Sequence, residues 1–250
     1  MKKKREIGNW KLLLFFTLYG VAAFGLHILV TVAWGGFLIY AVSGITKGNK
    51  QRIWQAIVAS PFMEIWGKMS RASGLPIEMG KYFILLSICL LFVVWFTERS
   101  RRSAYHTGKI ILILLIPSCV AALVSMPFNY EDWVFNALGI VAIGLLLLFS
   151  AKEKWTEDKL VESLRFASYF VIPILISVTL KSPEYEDLSL SVAAVGFAPN
   201  QMSTILGAAM FVILVPVVLN KPLFKPMAVN YLMVGYIFFR GAAHLLQGEG

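Results

Sequence analysis

Long apolar runs separated by short polar intervals set the pattern of this chain. Leu12–Val42 is apolar throughout. That is longer than one untilted span of about 20 residues and short for two spans and a turn. It reads as one long tilted helix or as a tight hairpin of short helices. Tyr82–Phe96, Ile110–Met126, Trp133–Ser150, Ala167–Leu180, Gly196–Leu219 and Met227–Leu246 are further runs at or near span length. The pattern predicts an all-α, polytopic transmembrane helix bundle of about seven spans. One transmembrane domain then occupies 1–250.

Two intervals are polar enough to lie outside the spans. In Gly44–Lys81, Ile53, Trp54, Ile57 and Val58 share a helical face, with Lys50, Gln51, Arg52 and Gln55 around them. Ser60-Pro61 reads as an N-cap followed by a first helical residue, and Phe62, Met63, Ile65, Trp66 and Met69 continue at helical spacing. This predicts two short amphipathic helices in the outer interface over 44–81, the second ending at Ser73-Gly74. The interval 151–166 mixes charges with Trp155, Leu160, Val161 and Leu164, and predicts a cytoplasmic amphipathic connector. Pro117, Pro173 and Pro216 fall inside runs and are candidate kinks.

Composition agrees with the pattern. The chain is 58% hydrophobic with mean hydropathy +0.72, which excludes an ordinary soluble domain. The net charge of +9 would suggest nucleic acid in a soluble protein. Here the basic residues flank apolar runs, so the positive-inside rule accounts for them and no nucleic-acid partner is expected. With one crossing in 12–42 and a cytoplasmic N-terminus, the inside segments hold about 15 Lys and Arg against about 7 outside. With a hairpin there, the split falls to about 12 against 10. The single crossing is favoured, in a bacterial inner membrane. The start, MKKKREIGNWK, resembles a signal n-region, but the following run is too long for a cleaved signal and reads as a retained anchor. Cys89 and Cys119 lie in apolar runs and are expected to be packed thiols. His27, without an acidic neighbour in sequence, is expected to pack or to bond backbone.

Two places could carry chemistry. The stretch Gly196–Leu219 opens as a polar turn, with Pro199 suited to a first helical turn and Asn200, Gln201, Ser203 and Thr204 beside the unpaired first amides. Such a helix start either only caps itself or holds an anionic group. Arg240 lies in the last apolar run, before Gly241-Ala242-Ala243. A charge at mid-span costs about 2.5–3.5 kcal/mol on insertion scales, so it either snorkels to the headgroups or serves a site.

GFAPNQMSTILG followed one span later by FFRGAA resembles the O-antigen ligase/O-antigen polymerase-like membrane proteins. SPFMEIWGKMSR and LPIEMGKY resemble an upstream stretch of the bacteroidete members, with Pro61, Glu64, Arg71, Glu78, Gly80 and Lys81-Tyr82 at the matching positions. The resemblance spans roughly Ser60 to Ala243. It implies glycosyl transfer, outside the inner membrane, from a polyprenyl-diphosphate-linked glycan to an acceptor glycan or lipid, with no metal and no cofactor. It places Arg240, Asn200 and Gln201 at the lipid diphosphate, and Gly196, Pro199 and Gly241 as structural motif positions. Guanidinium–phosphate contacts are chemically suited to a diphosphate leaving group. Phe239 stands where the family has a small hydroxylated residue. The family's longer chains also carry a later arginine and a histidine base, so this chain is expected to be an N-terminal portion that is inactive alone. His244 does not sit in that later motif and reads as an interfacial histidine.

No phosphate-cradling glycine loop, zinc-spaced Cys/His cluster, H-E-x-x-H or D-x-D is present in the sequence. Two other classes stay open: a transporter or lipid-binding membrane protein without transfer chemistry, and a structural subunit of a membrane complex.

Overall fold

The structure, a computed structural model, describes residues 10–70, 153–180, 199–224 and 226–247, together with helical positions scattered between 89 and 150, and six helices are bounded among these residues. They are α1 (Trp10–Gly25), α2 (Ile28–Thr46), α3 (Lys50–Ser70), α4 (Glu157–Leu180), α5 (Pro199–Val218) and α6 (Met227–Gln247). The described residues contain no strand. The all-α expectation holds for them. Ile28–Thr46 and Glu157–Leu180 are long and apolar enough to cross a membrane, and Lys11–Gly25 and Ser203–Val218 are shorter apolar helices.

The first apolar run is two helices, not one. The helix stops at Gly25, and Leu26 and His27 start the next one through Leu29 N–H to Leu26 O and Val30 N–H to His27 O. Side-chain pairing shows that the direction reverses. On α1, Phe16 stacks on Tyr169 and Gly20 lies against Pro173 and Ile176, so α1 runs with α4. On α2, Phe37 meets Phe170 and Tyr40 then stacks on Phe166, so α2 runs against it. Phe170 sits between Phe16 and Phe37. Tyr19 Oη donates to Leu29 O across the turn at 2.6 Å. The favoured single tilted helix is therefore corrected to the hairpin. His27 is exposed at its tip and makes no side-chain cap, so the expectation that its imidazole packs or bonds backbone fails.

A second tight turn follows. Gly48 adopts φ +58°, where a Cβ would be strained, and lets Asn49 N–H reach Gly44 O and Gly48 N–H reach Ile45 O. Asn49 Oδ1 then accepts from Arg52 N–H at 3.2 Å and caps α3.

α3 corrects the reading of two short interfacial helices. It is one helix of 21 residues with Pro61 inside it. Pro61 has no N–H for Ile57 O, and the buried Ser60 hydroxyl donates to that carbonyl instead. The helix therefore continues where the sequence suggests a restart. Gln51 bonds Lys159 O and Ser163 Oγ of α4, while Trp66, 15 residues on, packs on Tyr19. α3 thus runs the length of the bundle beside α4, and Ile53, Trp54, Phe62, Met63 and Trp66 are core residues.

The expected connector and short span are likewise one helix, α4, of 24 residues. Thr156 caps it through Lys159 N–H, and Glu157 and Asp158 occupy the first turn, where the helix dipole favours anions. Ser163, Ser168 and Ser177 are buried and donate to carbonyls one turn back. After Val218 the turn that closes α5 holds Asn220 at φ 56°, with Lys221 N–H on Pro216 O and Asn220 N–H on Val217 O. Lys221 Nζ reaches Glu157 and Asp158, at 3.0 and 2.7 Å, which ties the α5–α6 turn to the start of α4. These carboxylates raise the Lys221 pKa above its ordinary value. Helices α1, α3, α4 and α6 therefore run one way, and α2 and α5 the other.

Lys11, Lys47, Lys50, Arg52, Lys154, Lys159 and Lys221 all fall at the end where α1, α3, α4 and α6 begin. Trp54, Trp155 and Tyr40 sit at the same end, and this will be called the basic end. Cys89 is exposed, against the expectation of a packed thiol, because an apolar run does not say which side of its helix faces outward. Cys119 lies outside the described residues.

Candidate functional site around Arg240

Gly241 brings α6 close to α5. A Cβ there would stand 3.8 Å from Leu206 Cβ. Leu206 lies six residues, about 9 Å of rise, into α5 from Asn200. Arg240 is therefore at the same end of the bundle as the Pro199–Gln201 helix start, opposite the basic end. Gly196 lies outside the described residues, as do the side chains of Pro199, Asn200, Gln201 and His244. Of the upstream motif, Pro61 and Glu64 are on α3, and Arg71, Glu78, Gly80, Lys81 and Tyr82 are outside the described residues.

Arg240 is half-buried, between exposed Phe239 and the packed small residues that follow. Its Nε donates to Tyr236 Oη at 3.0 Å, and its guanidinium carbon lies 5.7 Å from that ring's centroid. Tyr236 is one turn deeper in the helix. A snorkelling arginine would stretch the other way, toward the nearer helix end. The Tyr236 hydroxyl also bonds Thr179 Oγ1, and Thr179 bonds Leu175 O at 2.6 Å.

Only one arrangement of protons fits this chain. Arginine can only donate and a carbonyl can only accept. Arg240 Nε–H therefore donates to Tyr236, Tyr236 to Thr179, and Thr179 to Leu175 O. The base of the guanidinium is tied to the last turn of α4. The two terminal amino groups make no ion pair among the described residues, and together they present the paired donors that suit a phosphate.

No known protein family, curated protein or solved structure matches this chain.

Among the described residues no group of three His, Cys, Asp or Glu side chains could hold a metal ion. Sequence reasoning singled out Arg240 and missed what holds it. Tyr236 is visible as the residue one turn before it. Thr179 is 57 residues from Tyr236 and nothing in the sequence marks it. Asn230 was missed too. It is fully buried, donates to Phe224 O at 2.7 Å and accepts from Phe224 N–H at 3.2 Å, and so locks the α5–α6 turn.

Proposed function

We propose that this chain belongs to a membrane glycosyl-transfer protein of the O-antigen ligase/polymerase type. Its donor would be a polyprenyl-diphosphate-linked glycan, transferred to an acceptor glycan or lipid at the outer face of a bacterial inner membrane. The observation that carries the reading is Arg240. It is half-buried, turned inward and tethered at Nε, with its terminal amino groups left for an anion near the α5 start. Asn200 and Gln201 would complete the diphosphate site.

Helix directions support the orientation. The hairpin adds one crossing, and α3, running the bundle's length, adds another. On this reading two crossings would be added to the seven expected from the sequence, which leaves the parity unchanged. The basic end is then cytoplasmic, as the positive-inside rule requires, and Arg240 faces out. Pro173 and Pro216 lie within continuous helices. Replacing Arg240→Ala in the intact gene should abolish surface polysaccharide at an unchanged protein level. Normal polysaccharide in that strain would refute the reading.

A further inference from the structure

At the basic end, Arg52 makes no ion pair among the described residues and sits in a built setting. Arg52 lies over the ring of Tyr40, 5.5 Å from its centroid, and Tyr40 is itself stacked on Phe166 at 4.5 Å. Arg52 Nη1 donates to Ser43 Oγ at 3.1 Å, and Ser43 donates onward to Tyr40 O at 2.7 Å. Tyr40 Oη donates to Gln55 Oε1. One of the five guanidinium N–H groups is thus spent, and the ring fixes the plane of the rest.

The nearby acids are engaged elsewhere. Glu153 pairs with Lys159 at 2.6 Å, and Glu157 and Asp158 hold Lys221. Glu162, exposed on α4 one turn before Phe166, acts electrostatically on the same Tyr40 as Arg52 does, but makes no ion pair with Arg52. The half-buried guanidinium has no carboxylate at ion-pair distance among the described residues, and its setting points to what supplies a closer counter-charge. Val32 and Ile39 form an exposed apolar stripe on α2 that leads to Ser43 and then to exposed Lys47, one turn beyond. From Val32 to Ser43 is about 16 Å along the helix, close to the roughly 15 Å depth of one leaflet.

We propose that Arg52, with Lys47, binds the phosphodiester of an anionic phospholipid in the cytoplasmic leaflet, whose acyl chains lie along Val32 and Ile39. The site rests on the membrane reading and the cytoplasmic placement of the basic end, and does not need the glycosyl-transfer reading. Guanidinium contact with a phosphodiester is charge-assisted and stronger than with a zwitterionic surface alone.

The test uses the full chain in nanodiscs of phosphatidylcholine titrated with phosphatidylglycerol, with thermal stability as the readout. Wild-type protein should gain stability with phosphatidylglycerol and saturate. Arg52→Gln, which can still bond Ser43, should need about tenfold more of that lipid, the shift expected on losing one charge-assisted contact. Ile39→Ser should weaken the same response without altering the behaviour in pure phosphatidylcholine beyond a small offset. If Arg52→Gln lowers stability equally in both lipids and keeps the increment, Arg52 is only a staple between α2 and α3, and the proposal is overturned. If inorganic phosphate in pure phosphatidylcholine reproduces the increment, the lipid assignment is overturned. Failure to enter nanodiscs at all would overturn the membrane reading itself.

Discussion

Asn230→Leu tests whether the α5–α6 turn is held by one buried amide. The side chain meets both backbone groups of Phe224, at 3.2 and 2.7 Å, and both residues are fully buried. Leucine has nearly the same shape and can make neither bond. A buried hydrogen bond contributes about 1 kcal/mol net, and each backbone group left unpaired costs about 1–3 kcal/mol. With some relaxation of the turn, about 2–5 kcal/mol should be lost. At about 2–4 °C per kcal/mol for a chain of this size, the melting point should fall by about 4–20 °C. A melt in detergent checks the magnitude, and limited chymotrypsin digestion checks the place. Phe224 is shielded in the native turn, so Asn230→Leu should be nicked after it while the wild type resists. An unchanged melt together with no nick at Phe224 would refute this account of the turn.

Ser60→Ala should cost about 1–3 kcal/mol by leaving Ile57 O without the donor that Pro61 cannot supply, and Ser60→Ala/Pro61→Ala should recover most of it in the same melt. Gly67→Ala should destabilise by about 1–3 kcal/mol, because its Cβ would stand 2.8 Å from Trp34 Nε1, whereas Gly35→Ala, with open space, should be neutral or gain up to about 1 kcal/mol. The folded pKa of Lys221 is raised, so its tie to Glu157 and Asp158 is present below the ordinary lysine range and lost as pH climbs through the raised value. The melting difference between wild type and Lys221→Met should be small, shrink in high salt and vanish at pH well above 10.5. Under the proposed function, Tyr236→Phe should lower surface polysaccharide less than Arg240→Ala does, since the fork remains but its tether is cut, with protein level as the control.

Much was legible without coordinates. Apolar runs and their proline, glycine and basic punctuation are local signals, and they announced an all-helical chain with a charged residue out of place in its last run. Each depends only on what one stretch costs to bury, so each can be read one stretch at a time. Helix continuity through Pro61 was not legible, because it turns on whether the Ser60 hydroxyl caps a new helix or repairs the old one. Nor was the fate of α3. Its polar residues look interfacial until Gln51 is seen bonding Lys159 O and Ser163, and Trp66 packing on Tyr19. The hairpin at Gly25–His27 turned on Phe16 and Phe37 meeting on the two sides of Phe170, more than 130 residues away. Pairings across such distances are choices among partners of equal hydrophobicity, and only the folded chain shows which were made. Arg240 shows both halves: its cost was plain from composition, while its inward turn onto Tyr236 and Thr179 came from three helices meeting at one end of the bundle.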